Sequence, residues 1–257
     1  KEYLMARYTS GVHSSEKPTF DFKPPEFNTP DQLIFEDFLH QLKTFDDLKT
    51  SSHPAVKFVE ERKIPQKYYS QLYFAPEFFK FTNTLLPNKF PSLNGDHPRL
   101  IIPFFDKENV FFGYQGRAFG KENPKYITIM LKEKNKIFGL DRINSNQHIF
   151  VVEGPIDSLF LDNCLAVAGA DFKLDMDEKD YTVIYDNEPR NVEIIKRMEK
   201  SIEQNQSIVI WPDNIEEKDI NDMILSGKTS VEIHRIISKN TFSHLHAKTR
   251  LINWKKI

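Results

Sequence analysis

Ile149-Phe150-Val151-Val152-Glu153-Gly154-Pro155-Ile156-Asp157 is the stretch that decides the fold of this 257-residue chain. Four apolar residues in a row, three of them β-branched, make a short strand buried on both faces. A carboxylate closes it and a glycine breaks it. Pro155 then suits the first turn of a helix, where its missing N–H leaves nothing unpaired that would otherwise be bonded. Ile156, Leu159 and Phe160 give that helix an apolar side. The same grammar recurs downstream. Residues 165–167 read as a second strand, and residues 181–185 as a third that ends in Asp186-Asn187-Glu188. Residues 207–211 read as a fourth, closed by Pro212 and Asp213. Between the last two, a helix over 191–203 buries Ile194, Ile195, Met198 and Ile202, with Glu193 and Arg197 spaced as an i,i+4 ion pair. Short helices follow over 220–225 and 230–238; residues 241–257 carry no firm pattern. Strands alternating with helices predict an α/β fold, a mostly parallel sheet with helices on both faces.

Upstream the grammar differs. Residues 100–105 and 110–114 read as two strands around an Asp-Lys-Glu-Asn turn (residues 106–109), and residues 127–131 as a third. Residues 31–148 are taken as one α/β unit with a mixed sheet at its C-terminal end. Helical spacing of Leu33, Ile34, Phe38 and Leu42 predicts a helix over 31–48 with Asp31 as its cap. Another short helix is expected over 55–62, and the aromatic-rich residues 68–81 suit either helix or strand. Pro18, Pro24, Pro25 and Pro30 mark residues 1–30 as an extended linker or remnant.

Composition narrows the class. The hydrophobic fraction of 39% and 22 Phe supply an ordinary globular core. No run of 18 uncharged apolar residues exists, so no membrane partner is expected. The single cysteine, Cys164, excludes an internal disulfide and a cysteine zinc site, and points to a reducing, cytoplasmic setting. Net charge is −2, but it is unevenly spread. Residues 117–142 hold seven basic and three acidic side chains; residues 153–188 hold ten acidic and two basic. A basic patch beside an acidic pocket suits a polyanion held next to metal ions, although solvated surface gives the same counts.

The positions of the carboxylates say more. In open α/β sheets functional groups gather beyond the carboxyl ends of the strands. Glu153 stands at one such end, Asp157 in the helix after it, and Asp186 and Glu188 at another; Asp219 and Asp222 follow the fourth strand. Any one of these is as readily a helix cap or a loop residue. Together they repel one another unless cations intervene, and hard oxygen donors suit Mg²⁺ or Mn²⁺.

Glu153-Gly154-Pro155-Ile156-Asp157 resembles the Glu-Gly-x-x-Asp signature of Toprim domains, with Asp186-Asn187-Glu188 where those domains usually carry Asp-x-Asp. Lys218-Asp219-Ile220-Asn221-Asp222 resembles an element of phage primases. Ile102-Pro103-Phe104, Gly113-Tyr114-Gln115-Gly116-Arg117, Pro124-Lys125-Tyr126 and Ile137-Phe138-Gly139-Leu140 match, in order, the region that precedes Toprim in bacterial-type primases. His53-Pro54-Ala55, residues 59–65, Asp186 to Asn191 and Trp254-Lys255-Lys256 are similar to the T-even-like phage group. The resemblance implies a primase N-terminal α/β subdomain over 31–148, a Toprim domain over 149–228 and a helical tail over 229–257. Its activity would be template-directed synthesis of RNA primers from ribonucleoside triphosphates on single-stranded DNA, with a replicative helicase as partner and the host cytoplasm as setting.

By the same resemblance Glu153, Asp186 and Glu188 hold Mg²⁺ or Mn²⁺, Asp157 orients groups beside them, and Asp219 and Asp222 add to the site. Arg117, Lys121, Lys125, Tyr126, Lys132, Lys134, Lys136 and Arg190 are the expected contacts to nucleotide or template. Members of this family usually begin with a cysteine zinc domain; zinc is expected there and not in this chain, whose lack of an initiator Met suggests a piece of something longer. Two alternatives use the same residues: a Toprim-type metal-dependent nuclease and a non-catalytic nucleic-acid-binding module. A topoisomerase would also need a nucleophilic tyrosine in a domain that the pattern does not provide.

Overall fold

The computed structural model describes residues 37–169 and 181–257. Two sheets divide them. The first is five-stranded: β1 (Lys43–Thr44), β2 (Tyr73–Ala75), β3 (Arg99–Phe105), β4 (Phe111–Ala118) and β5 (Tyr126–Met130), in that spatial order. Every neighbour pair is antiparallel, where a mixed sheet was expected. The β3–β4 and β4–β5 links are too short for the crossover that a parallel pair demands. The β3–β4 turn is tied by Asp106, whose Oδ1 accepts from the N–H of Val110 at 2.8 Å and of Glu108 at 3.2 Å. Asn109 takes the left-handed conformation there, at φ 59°, as asparagine does more readily than most residues.

The helix predicted over 31–48 is not continuous. Helical residues 37–40 give way to β1, and a new helix, α1 (Phe45–Thr50), begins. Thr44 restarts it through a capping box: its hydroxyl accepts from Asp47 N–H at 3.2 Å, and the Asp47 carboxylate accepts from Thr44 N–H at 3.0 Å. The proposed Asp31 cap and the linker lie outside the described residues. Helix α2 (Val56–Glu61) falls where expected, and residues 68–81 resolve into the end of a 3₁₀ turn, strand β2 and the start of helix α3 (Phe78–Leu85).

The second sheet runs β11-β10-β9-β7-β8-β6, with β6 (Ile137–Phe138), β7 (Ile149–Val152), β8 (Cys164–Val167), β9 (Tyr181–Ile184), β10 (Ser207–Val209) and β11 (Thr241–Phe242). The inner four are parallel; β6 and β11 close the edges antiparallel. The expected α/β layout is thus present, with helices α4 (Pro155–Ser158), α5 (Val192–Glu203), α6 (Ile220–Leu225) and α7 (Ser230–Lys239) along it. The C-terminal tail, expected to be only helical, contributes strand β11 before helix α8 (His244–Trp254). It therefore completes the sheet.

One continuous core joins the sheets. Leu100, Ile102, Phe104 and Phe112 from the first pack in the same cluster as Val152, Ala166 and Ile184 from the second and Ile156 from α4. The strand aromatics Phe104, Phe111, Phe112 and Tyr114 are all buried. They are core. Apolar burial of this extent is the main favourable term in folding, at about 25 cal/mol per Å².

Candidate active site

Strands β7 and β9 are parallel neighbours in register, Val152 opposite Ile184. Their next residues therefore emerge side by side at the carboxyl rim. Glu153 follows β7 and Asp186 lies two residues past β9, close enough that the Asp186 N–H approaches Glu153 Oε1 at 3.5 Å. Two cations meet these acids. Arg197 Nη1 is 2.9 Å from Glu153 Oε2, and Lys218 Nζ is 2.7 Å from Glu188 Oε1 and 3.8 Å from Asp186 Oδ2. Arg197 thus leaves the predicted Glu193 pair: Glu193 meets Lys196 at 3.4 Å instead. The Arg197 side chain flanks the buried stripe of α5 and reaches inward to the rim, where a partly buried partner offers more than an exposed one.

The electrostatics follow from burial first and crowding second. Burial, then the charges of Glu153 and Asp219, push the Asp186 carboxyl up to about 7. Asp157 is also raised well above the ordinary carboxylate value, by burial first and by Asp219 second. Glu188 is lowered, because Lys218 donates to it. Asp219 caps α6, accepting from Asp222 N–H at 2.8 Å, so the plain structural role holds for it. Asp222 is raised by burial and by its Asp219 neighbour.

The acids expected to converge are thus brought to one rim, but not into a closed cage. Among the described residues, no three His, Cys, Asp or Glu side chains form a group that could by itself hold a metal ion. Hard carboxylate oxygens, on side chains three of which are raised in pKa by burial and then by neighbouring acids, still fit Mg²⁺ or Mn²⁺, which commonly takes one or two protein carboxylates and fills its shell with water and phosphate.

Asp157 is joined to the first sheet's side by Asn221, a residue 2% exposed. Asn221 N–H donates to Asp157 Oδ1 at 2.8 Å, and its side chain exchanges two bonds with Arg62: Nη1 to Oδ1 at 2.6 Å and Nδ2 to the Arg62 carbonyl at 2.8 Å. Beyond Arg62 lies the basic group. The Phe58 ring sits 5.2 Å from the Arg62 guanidinium and 5.3 Å from that of Arg117. Register places Arg117 opposite Tyr126, and the guanidinium lies 5.0 Å from that ring.

The predicted contact residues separate accordingly. Arg117 is 3% exposed, beneath Tyr126. Lys121, Lys125, Tyr126, Lys136 and Arg190 are exposed, and Lys132 is half-buried. Burial and the neighbouring charges of Arg117 and Arg62 lower the Lys125 pKa, as in a concentrated positive patch. Lys134 pairs with Asp106 at the β3–β4 turn. Arg190 lines an open groove with Glu188, Pro189, Asn191 and Lys256. Sequence patterns gave no site role to Arg62, Arg197, Lys218 or Asn221, although Lys218 and Asn221 stand in the matching 218–222 element and Arg62 in the 59–65 stretch. Asn221 had a signal, a polar amide between Ile220 and Met223 on an apolar helix face.

No protein-family model matches the chain. It is 36% identical over 217 residues, 82% of its length, to the DNA primase of Enterobacteria phage T4, and covers 63% of that protein. Among solved structures it resembles the Aquifex aeolicus primase, zinc-binding and RNA polymerase domains, with a TM-score of 0.61 and 18% identity over 82% of this chain and 61% of that one. The E. coli primase catalytic core gives a TM-score of 0.59 at 16% identity, over 87% of this chain and 82% of that one. A DnaG primase catalytic domain bound to single-stranded DNA gives 0.55 at 19%, over 86% and 83%. By sequence the chain is similar to the DNA primase of phage T4, of whose length it spans a little under two thirds, and its fold is that of the bacterial primase catalytic cores.

Proposed function

We propose that the chain is the catalytic core of a primase, a DNA-directed RNA polymerase that makes short RNA primers on single-stranded DNA from ribonucleoside triphosphates. The observation that carries this is the placing of Glu153 and Asp186 at the carboxyl ends of adjacent parallel strands, in a chain 36% identical to the T4 primase. Mg²⁺ or Mn²⁺, held by Glu153, Asp186 and Glu188, would supply charge neutralisation at the phosphates and activation of the attacking hydroxyl.

The chain's own residues do the rest. Arg197 fixes the orientation of Glu153, and Lys218 offers a mobile point charge that can exchange a carboxylate oxygen for a phosphate oxygen. Asn221 holds Asp157 in place, so that Asp157 acts by orientation; Asp219 and Asp222 shape the loop beside it. Tyr126 and Lys125 meet the template or the nucleotide first, with Arg117 supplying charge from beneath the ring. Lys121, Lys132, Lys136 and Arg190 widen the positive track; Lys134 is drawn away by Asp106. A replicative helicase as partner and the cytoplasm as setting complete the proposal. No helix among the described residues is long and apolar enough to cross a membrane.

The test is primer synthesis from labelled ribonucleotides on single-stranded DNA with Mg²⁺ or Mn²⁺. Glu153→Gln and Asp186→Asn should each lower the rate by about a hundredfold or more. Full-rate synthesis by both variants would remove these residues from the chemistry. Template cleavage without synthesis would make the chain a nuclease.

A further inference from the structure

The chain has two tryptophans, and both indole N–H groups are spent on the same four residues. Trp211 donates to the carbonyl of Tyr185 at 2.8 Å, and Trp254 donates to Asn187 Oδ1 at 3.3 Å. Between and beside these acceptors stand Asp186 and Glu188. Trp211 follows β10 within the sheet, whereas Trp254 ends α8, the last helix of the chain. Both rings are buried, at 3% and 5% exposure. A buried indole keeps its polar end satisfied, and here the partner is the acidic loop in each case.

Asn187 is the hub. Its Nδ2 donates to the carbonyls of Ile215 at 2.8 Å and Glu217 at 3.1 Å, and its backbone N–H donates to the Lys218 carbonyl at 2.6 Å. One uncharged side chain therefore ties the loop that carries Asp186 and Glu188 to the loop that carries Lys218, and both to α8. A second strap lies alongside, where Lys256 N–H donates to the Pro189 carbonyl at 2.8 Å. The Asn187 side chain spends its hydrogen bonds on Ile215, Glu217 and Trp254, none of them a rim carboxylate.

We propose that Asn187 is a positioning residue and that Trp254, from the C-terminal helix, sets its orientation. Through them α8 fixes the reach and spacing of Asp186 and Glu188 toward a divalent ion. This rests on the assignment of those two carboxylates as ion ligands. Groups that orient ligands without touching the ion commonly account for a ten- to hundredfold change in affinity or activity. A single neutral bond of 3.3 Å belongs at or below the low end of that range.

The experiment uses the full chain and Mn²⁺ alone, with free Mn²⁺ counted by electron paramagnetic resonance and no nucleotide present. Trp254→Phe keeps the ring in the core and removes only the donor. It should weaken Mn²⁺ binding by about three- to tenfold, with the melting temperature within about 2 °C of wild type. In primer synthesis the half-saturating Mg²⁺ concentration should rise by the same factor, with the rate at saturating Mg²⁺ unchanged. Asn187→Leu should weaken binding further, and adding Trp254→Phe to it should cause no additional loss, because the two act through one bond. Wild-type Mn²⁺ affinity in Trp254→Phe overturns the proposal, as does a loss that merely follows a lowered melting temperature. Glu153→Gln separates the two levels. If it abolishes Mn²⁺ binding while Trp254→Phe leaves the affinity at the wild-type value, only the positioning role falls; if the wild type binds no Mn²⁺, the ion site falls with it.

Discussion

Gly116 lies in the middle of β4, and a methyl group there has nowhere to go. A Cβ built on it would sit 2.2 Å from Phe78 Cε2, 2.7 Å from Cζ and 2.9 Å from Cδ2. Ordinary contact begins near 3.4 Å, so the ring edge must retreat by about 1.2 Å. Phe78 is fully buried and hemmed in: the rings of Phe90 and Tyr114 lie 6.0 and 6.1 Å away, and the Arg99 guanidinium 5.3 Å from its centre. Nor can α3 slide freely, since Asp96 holds the N–H groups of Phe79 and Lys80 at 2.8 and 3.1 Å. Overpacking of this kind costs about 1–3 kcal/mol, and a ring held on all sides belongs at the upper end. The smaller entropy of the unfolded alanine chain returns less than about 1 kcal/mol. Gly116→Ala should therefore lose about 2 kcal/mol in urea unfolding, a midpoint drop near 1 M at a slope of about 2 kcal/mol/M. In a Phe78→Leu background the same change should cost at least about 1 kcal/mol less. Gly116→Ala within about 0.5 kcal/mol of wild type, or an equal cost in both backgrounds, would show that the contact is not what demands glycine.

Two further outcomes follow from the same structure. Asn221→Leu removes both side-chain bonds to Arg62 and leaves buried polar groups unpaired, so thermal unfolding should show a loss of about 2 kcal/mol. Asp106 gives a pH dependence with a definite sign. Burial raises its pKa, but the Lys134 ion pair and the Val110 and Glu108 N–H groups outweigh this and lower it below the usual 3.8. A depressed folded pKa contributes stability that is complete above 3.8 and is lost as pH falls through the folded value. Asp106→Asn should be less stable than wild type at pH 6, and the difference should shrink steadily below pH 4 in urea titrations; a constant gap down to pH 2 would count against this pairing.

Glu153, Asp186 and Glu188 could be read in the sequence because each follows an apolar run, and a parallel strand's end is where chain direction alone places a side chain. The β3–β4 hairpin was legible for a similar reason, as its turn residues sit between two apolar runs. What escaped depends on partners remote in sequence. Arg197 has a plausible mate four residues away, and only the fold reveals that Glu153, 44 positions distant, takes it. Asn221 and Arg62 are 159 residues apart, and nothing local announces their exchange. Strand β11 is two residues long, too short for periodicity to register, and exists because β10 offers an edge. The break at Thr44 was readable from its capping box, but the helical spacing of Leu33 to Leu42 masked it.

Sheet edges are where folded chains risk sticking to one another, since an unpaired row of backbone groups invites a foreign strand. Among the described residues, three of the four edges here are the two-residue strands β1, β6 and β11. They offer almost nothing to pair with. The fourth is β5, five residues long, with the exposed Lys125 directly before its first residue. A charge beside the longest edge discourages such pairing, and removing the Lys125 charge should make the chain more prone to self-association through β5, read as a rise in apparent mass by light scattering.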